Sequence, residues 1–215
     1  MDNSAKISQI RTDYTLDTLD IGEVNAQPIA QFDHWLEQAI QANVPEPTAM
    51  HLATATKDGK PSGRILLLKG TNEEGFVFYT NYESRKGQEL AENPYGCITF
   101  FWTTLQRQVR IEGKIEKVDA KLSEDYFKSR PRGSQISALV SPQSQEIDSR
   151  NTLEQQVQVK TQELEGKDVP KPDHWGGYCL KPSQIEFWQG RSSRLHDRLR
   201  YTKEGNDWKI VRLAP

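Results

Sequence analysis

In HLATATKDGKPSGRILLLKG (51–70) two apolar runs flank Asp58-Gly59, a pair that accepts the positive φ angles of a tight turn. The stretch predicts a β-hairpin, and the segments after it repeat the strand pattern. GFVFYT (75–80), YGCITFFWTT (95–104) and RQVRIEGKIEKV (107–118) each read as strands. Gly113, inside the last of these, marks a bulge or a close backbone approach. WGGYCLKP (175–182), QIEFWQG (184–190), SRLHDRLRYT (193–202) and DWKIVRLAP (207–215) complete about eight strands, the last two joined by a turn at KEGND (203–207). Helices are inserted between them. Ile29, Phe32, Leu36 and Ile40 share one helical face after Pro28, and Pro45 ends that run. ESRKGQELAENP (83–94) is a short helix with Ser84 as its cap. Residues 119–129, 133–140 and 151–164 are three more helices, separated by Pro131 and the loop SPQSQEIDS (141–149). Hairpin order with inserted helices predicts a mainly β, α+β fold whose antiparallel sheet closes into a barrel. Residues 1–27 are polar and irregular and read as a mobile segment, leaving 28–215 as one domain.

Composition narrows the function classes. The chain has 215 residues, 35% apolar and 27% charged, with a net charge of −2, so no global field draws it to nucleic acid or to an acidic membrane. Any anion site must be local. The first twenty residues lack the apolar run of a signal peptide, and no stretch approaches the roughly 20 apolar residues of a membrane span, so a cytoplasmic protein is expected. Cys97 and Cys179 lie in strand-like sequence and are expected as buried thiols. His34, His51, His174 and His196 are far apart, so no metal site is expected.

Four basic clusters stand out. In EFWQGRSSRLHDRLRY (186–201), Arg191, Arg194, Arg198 and Arg200 surround His196 beside Phe187, Trp188 and Tyr201. Strand alternation places Arg194, His196 and Arg198 on one face, where they repel unless an anion lies between them. The plain alternative is a charged edge strand that resists aggregation; Trp188 and the lone histidine weigh against it. Arg64 and Lys69 end the run RILLLK, where snorkelling charges are the simpler explanation. Arg85 and Lys86 open a helix, a poor place for cations but a good one for a phosphate; a solvated pair is about equally expected. Tyr126 and Arg130 share a helical face, and Ser134 follows in a loop able to fold back, a weak sign of a phosphate cradle when taken alone. No glycine-rich dinucleotide motif and no serine-nucleophile motif is present.

Together these segments resemble the pyridoxine (pyridoxamine) 5′-phosphate oxidases. The similarity is carried by RILLLKG, FYTNYESRKGQELAENP, RQVRIEGKIEKV, RPRGSQISALVSPQSQ, IEFWQGRSSRLHDR and the terminal RLAP, in order, across residues 11–215. The resemblance implies a split β-barrel of the FMN-binding type and a homodimer with FMN at its interface. It implies that Arg64, Arg85, Lys86 and Ser144 hold the flavin, largely through its phosphate. Ile65, Leu66, Leu67, Leu68, Lys69, Tyr79, Thr80, Gln108 and Gln143 match positions lining the cofactor, and Trp188 and Arg198 match positions reaching it from the partner subunit. Lys69, Tyr126, Arg130 and Ser134 correspond to the pocket for the vitamin's phosphate. Arg194 and His196 match the catalytic positions over the pyridine ring, and residues 11–14, with Arg11 and Tyr14, resemble a piece that covers the substrate. Gly63 and WTTLQRQ depart from the usual pattern, and the acidic segment 17–26 carries no implied role.

The implied reaction oxidises pyridoxine or pyridoxamine 5′-phosphate to pyridoxal 5′-phosphate, with O2 as acceptor and H2O2 as by-product. Histidine has the better unperturbed pKa for moving a proton; arginine suits orientation and charge compensation. Two rivals differ in class. A flavin-dependent split-barrel reductase would use another electron donor, and a non-catalytic anion-binding barrel would bind nucleic acid through its basic strand. Peroxide production with pyridoxine 5′-phosphate separates the first, and a flavin spectrum the second.

Overall fold

A computed structural model of the chain describes residues 4–10 and 12–215. In chain order these form α1 (Ser4–Gln9), α2 (Pro28–Gln41), β1 (Ala49–Ala55), β2 (Pro61–Leu67), β3 (Gly70–Asn72), β4 (Gly75–Asn81), α3 (Arg85–Glu92), β5 (Tyr95–Trp102), β6 (Arg107–Lys117), α4 (Ala120–Ser129), α5 (Arg132–Val140), α6 (Arg150–Glu163), β7 (Trp175–Gln189), β8 (Asp197–Glu204) and β9 (Asp207–Arg212). The strands pair in the order β2-β1-β5-β6-β7-β4-β3, with β8 on β7 and β9 on β8. This is the antiparallel, helix-interrupted sheet that the hairpin pattern predicts. Its pairing order does not close on itself among the described residues, so the sheet is a split barrel rather than the closed one that alternation alone implied. No described helix is long and apolar enough to cross a membrane.

Contacts divide the chain into two compact units, and β5, β6 and β7 each pass from one into the other. The first unit holds the described residues up to Ala49, with Thr99–Ile111 and Ser183–Pro215. Its core is aromatic. Pro28 opens α2, which buries Phe32, Trp35 and Ala39. Phe32 meets Phe100 at 4.9 Å between ring centroids, and Trp35 stands edge-on to Phe187 at 5.2 Å. Burying each such ring contributes about 1.5–3 kcal/mol. The buried face differs from the predicted one: Leu36 is only half-buried and Ile40 exposed. The helix is turned by Trp35, whose ring also carries the Arg107 guanidinium at 4.4 Å. β7, β8 and β9 form a meander in register Trp188↔Arg198 and Tyr201↔Ile210, turning at Gly205 with φ of 65°.

Leu19 in the N-terminal segment is buried, and Asp17 forms an ion pair with Arg107. This part of 1–27, expected to be mobile, is therefore docked.

The second unit comprises Met50–Ile98 and Glu112–Pro182. The predicted hairpin joins β1 to β2, with Gly59 at φ 83°. β4 pairs with β7 in register Tyr79↔Gly177 and Asn81↔Trp175. β7 is one strand of 15 residues where two were predicted across Pro182. It tolerates the proline because Gly113 faces it: a Cβ at Gly113 would lie 2.1 Å from the Lys181 carbonyl oxygen. Cys97 and Cys179 stand as thiols, and burial pushes Cys179 up to about 11.

Candidate functional site

The second unit encloses a cavity of about 540 Å³. Ten residues named from the sequence line it: Ile65, Leu66, Leu67, Lys69, Tyr79, Thr80, Tyr126, Arg130, Ser134 and Gln143. The chain converges there for a local reason. Arg130 caps α4 in extended backbone, as a residue before proline prefers, and Pro131 turns directly into α5. Tyr126, one turn back on α4, and Ser134, in the first turn of α5, thereby face the same space. Tyr126 stacks on Tyr79 at 3.9 Å, and Tyr79 on Trp175 at 5.5 Å. The Arg130 guanidinium lies 4.6 Å over Trp175. Burial raises the Tyr126 phenol, with Arg130 opposing, so it remains a neutral donor. Arg130 is pushed down by burial, yet arginine stays charged at neutral pH. Its Nη1 is buried without a hydrogen-bond partner. An unsatisfied guanidinium N–H beside a lysine, a phenol and a hydroxyl fits an oxyanion such as phosphate.

A second cationic group lies at the start of α3. Ser84 is the cap, accepting from the Gly87 N–H. Lys86 is 6% exposed. Its ammonium donates to Gln143 Oε1 at 2.9 Å and to Thr80 and Ser84 hydroxyls at 3.2 Å, all neutral acceptors. Burial, reinforced by nearby Arg64, pulls it down to about 8. Arg64 and Arg85 both contact the buried Glu89 carboxylate, Arg64 at 3.4 Å and Arg85 at 2.9 Å. Burial pushes Glu89 upward, but hydrogen bonds from Ser62, Thr54 and Arg85 and the charge of Arg64 outweigh it, holding the acid at about 2. Three cations against one carboxylate leave two positive charges, which matches a phosphate monoester dianion. Ser144 is exposed in left-handed backbone at φ 72°, and Leu68 belongs to the core; neither lines the cavity.

The first unit has its own cavity of about 480 Å³, lined by Tyr14, Arg191, Ser193, Arg194 and His196 among others. Arg194, His196 and Arg198 do not share one strand face. β8 starts only at Asp197, and Ser192–Arg194 form a single 3-10 turn. Ser193 and Arg194 take positive φ, 54° and 62°, so Arg194 and His196 reach one cavity through a strained turn and not along a strand face. His196 packs 4.6 Å from Trp188, and Tyr14 stands edge-on to Trp188 at 5.8 Å. The Arg191 backbone N–H donates to His196 Nδ1 at 3.1 Å. Burial and then Arg194 lower the His196 pKa, so the ring is neutral with its proton on Nε2. Asp197 takes Arg191 on one oxygen and Arg212 on the other, at 3.1 and 2.6 Å.

Arg198 is engaged within its own unit. Its Nε and Nη2 donate to the buried Glu186 carboxylate at 2.9 and 3.1 Å, and Nη1 donates to the Ala214 carbonyl. Trp188 is half-buried, and Gln108 lies half-buried on β6, lining neither cavity. Arg11 lies outside the described residues.

Sequence reasoning missed Asn81, Trp175, Glu89 and Asp197. Trp175 carried the one legible signal, an aromatic before the Gly176-Gly177 pair on which Tyr79 rests.

Comparison with known proteins places this arrangement among relatives. Residues 36–162 match the family described as pyridoxamine 5′-phosphate oxidase, and residues 175–215 match the pyridoxine 5′-phosphate oxidase C-terminal dimerisation region. A pyridoxine/pyridoxamine 5′-phosphate oxidase of Trichormus variabilis is 55% identical, covering 97% of this chain and 98% of its own. The protein of the same description from Paraburkholderia xenovorans is 54% identical, covering 97% and 99%. Among solved structures, PhzG of Burkholderia lata 383, in complex with tetrahydrophenazine-1-carboxylic acid, superposes with a TM-score of 0.88 at 33% identity, covering 94% of this chain and all of that one. A pyridoxamine 5′-phosphate oxidase-related, FMN-binding protein of Nostoc punctiforme, 15% identical with a TM-score of 0.69 over 89% of this chain and all of its own, shares the fold.

Proposed function

We infer that this chain, which belongs to the pyridoxamine 5′-phosphate oxidase family, is an FMN-dependent oxidase that converts pyridoxine or pyridoxamine 5′-phosphate to pyridoxal 5′-phosphate. It acts as a homodimer on a small phosphorylated substrate. The observation that carries the substrate assignment is the buried, unpartnered Nη1 of Arg130, in a cavity shared with Lys69, Tyr126 and Ser134. These four groups take the substrate phosphate. Arg64, Arg85 and Lys86 take that of FMN, with Thr80 and Gln143 fixing Lys86. Ile65, Leu66, Leu67 and Tyr79 offer the flat apolar surface that a flavin needs.

Held by these residues, FMN would supply a two-electron acceptor for the hydride of the substrate's C4′ and a route for those electrons to O2, giving H2O2. The chain positions. Two phosphate anchors fix both anions, and orientation of this kind contributes up to about 7–11 kcal/mol. Arg194 supplies fixed charge and a planar face beside the pyridine ring. His196, neutral with Nδ1 already occupied, donates from Nε2, so it orients a substrate oxygen or nitrogen and does not accept a proton. With the amine substrate, water hydrolyses the imine and ammonia leaves.

The active site is completed across the dimer. Ile65 and Leu67 are exposed apolar residues on β2, and the two cavities share no lining residue. Both facts support a flavin that also meets Trp188 and Arg198 of the partner subunit. Thiol cysteines fit a cytoplasmic setting.

The test is direct. Purified protein should show a flavin spectrum and, with pyridoxine 5′-phosphate in air, should form the aldehyde and an equal amount of peroxide. Flavin reduction by a nicotinamide donor but not by the vitamer would identify a reductase instead.

A further inference from the structure

We propose that Glu89 is a positioning residue for the cofactor, holding Arg64 and Arg85 so that the N–H groups left unspent, Nε–H of Arg64 and the Nη groups of Arg85, meet the FMN phosphate. The proposal rests on the assignment of Arg64, Arg85 and Lys86 to that phosphate and explains how they are held without it. Arg64, Arg85 and Lys86 repel one another: Arg64 depresses Lys86, and Arg85 lowers Arg64. Glu89, on the same helix as Arg85 and Lys86, is 4% exposed and answers this repulsion from beneath.

Its bonding is closed and directional. Oε1 accepts the Arg85 Nε–H at 2.9 Å. Oε2 accepts the Thr54 and Ser62 hydroxyls and, at 3.4 Å, Arg64 Nη2. Those hydroxyls in turn accept from Arg64, Thr54 from Nη1 and Ser62 from Nη2, while Nη1 also donates to the Leu52 carbonyl at 3.2 Å. Each hydroxyl has one proton, spent on Glu89, and so presents only lone pairs to Arg64. The polarity of the whole cluster is set by an acceptor with no proton of its own.

A glutamine cannot reproduce this. With its amide nitrogen toward Thr54 and Ser62, both hydroxyls lose their acceptor and must turn their protons toward Arg64. With the nitrogen toward Arg85, two donors face each other. Either way one arginine loses its orientation. Charge alone predicts the opposite result, since removing a carboxylate beside an anion site should strengthen anion binding. The sign of the effect therefore decides.

The experiment is titration of apo-protein with FMN and with riboflavin, which lacks the phosphate, followed by quenching of flavin fluorescence. E89Q should bind FMN about 10- to 100-fold more weakly, as for the loss of one charge-assisted hydrogen bond. Riboflavin affinity should not change. Unchanged or tighter FMN binding, or a loss shared equally by both flavins, would overturn the proposal. If E89Q is not soluble, E89D carries the test, since it keeps the charge but withdraws the carboxylate by one methylene. It should also weaken FMN alone; unchanged FMN affinity in E89D would overturn the proposal equally. The double variant R85A/K86A tests the underlying assignment. If it leaves FMN affinity intact, the assignment itself fails; if it weakens FMN while the Glu89 variants do not, only the role of Glu89 fails.

Discussion

Lys86→Met should make the apo-protein more stable while weakening its hold on FMN. Lys86 is 6% exposed, and its ammonium donates to neutral acceptors, Gln143, Thr80 and Ser84. Its pKa falls from 10.5 to about 8, which corresponds to about 3 kcal/mol disfavouring the charged form in the folded state. Methionine fills similar space without that charge. The acceptors left behind keep other partners: Thr80 donates to Gln143, and Ser84 donates to the Asn81 carbonyl. Net stabilisation of apo-protein at pH 7 should therefore be about 1–3 kcal/mol, read from urea unfolding. The pH dependence has a definite sign. Unfolded Lys86 keeps its proton to about 10.5 and folded Lys86 only to about 8, so the unfolded chain binds more protons between these values. Apo-protein stability should accordingly rise with pH across that window, and in Lys86→Met this rise should be absent. FMN restores the proton to Lys86, so FMN affinity should fall above pH 8 by up to about tenfold per pH unit in the parent and stay flat in the variant. A Lys86→Met protein that is less stable than the parent without flavin, or that keeps the parental FMN affinity and pH profile, would rule out this role for Lys86.

Arg130→Met should leave the protein yellow and folded but raise KM for pyridoxine 5′-phosphate by about 10- to 100-fold, since its orphaned Nη1 loses no protein partner and the substrate loses a charge-assisted bond; steady-state kinetics checks this, and unchanged KM contradicts it. His196 stays neutral above its lowered pKa, so kcat/KM should show no break from it between pH 7 and 9; a break in that range that vanishes in His196→Asn would restore the proton-transfer role. Gly113→Ala should destabilise by about 2–4 kcal/mol, because its Cβ would lie 2.1 Å from the Lys181 carbonyl oxygen and a backbone must move; thermal unfolding measures this.

The fold was largely legible because its cues are local. Asp58-Gly59, Ser84 before α3 and Pro131 after α4 each act through the backbone of the next few residues, and each marks the boundary observed. The strand of 15 residues through Pro182 was not legible, since it depends on Gly113 arriving from β6. The face of α2 was misread because spacing does not weigh Trp35 against Leu36; the edge-on contact with Phe187 does. In the candidate site, the second-unit cavity gathers ten of the residues that family motifs named, while Glu89, an i,i+4 partner of Arg85, carries no motif signal of its own. Thr54 and Ser62, which bond it from the β1–β2 hairpin, lie 35 and 27 residues away in sequence. The turn at Ser193 and Arg194 was hidden for a different reason: neither residue favours positive φ, so nothing in RSSRLHDR announces a break in the strand.

Phosphorylated B6 vitamers should reduce the flavin of this protein directly. Rapid mixing of oxidised, FMN-loaded protein with pyridoxine 5′-phosphate in the absence of oxygen tests it without any coupled assay. Single-turnover bleaching of the flavin absorbance is expected, with a rate that saturates in substrate, one pyridoxal 5′-phosphate formed per FMN, and a half-saturation value that rises in Arg130→Met. A flavin that stays oxidised with pyridoxine and pyridoxamine 5′-phosphates, or that bleaches equally well with the unphosphorylated vitamin, would contradict it.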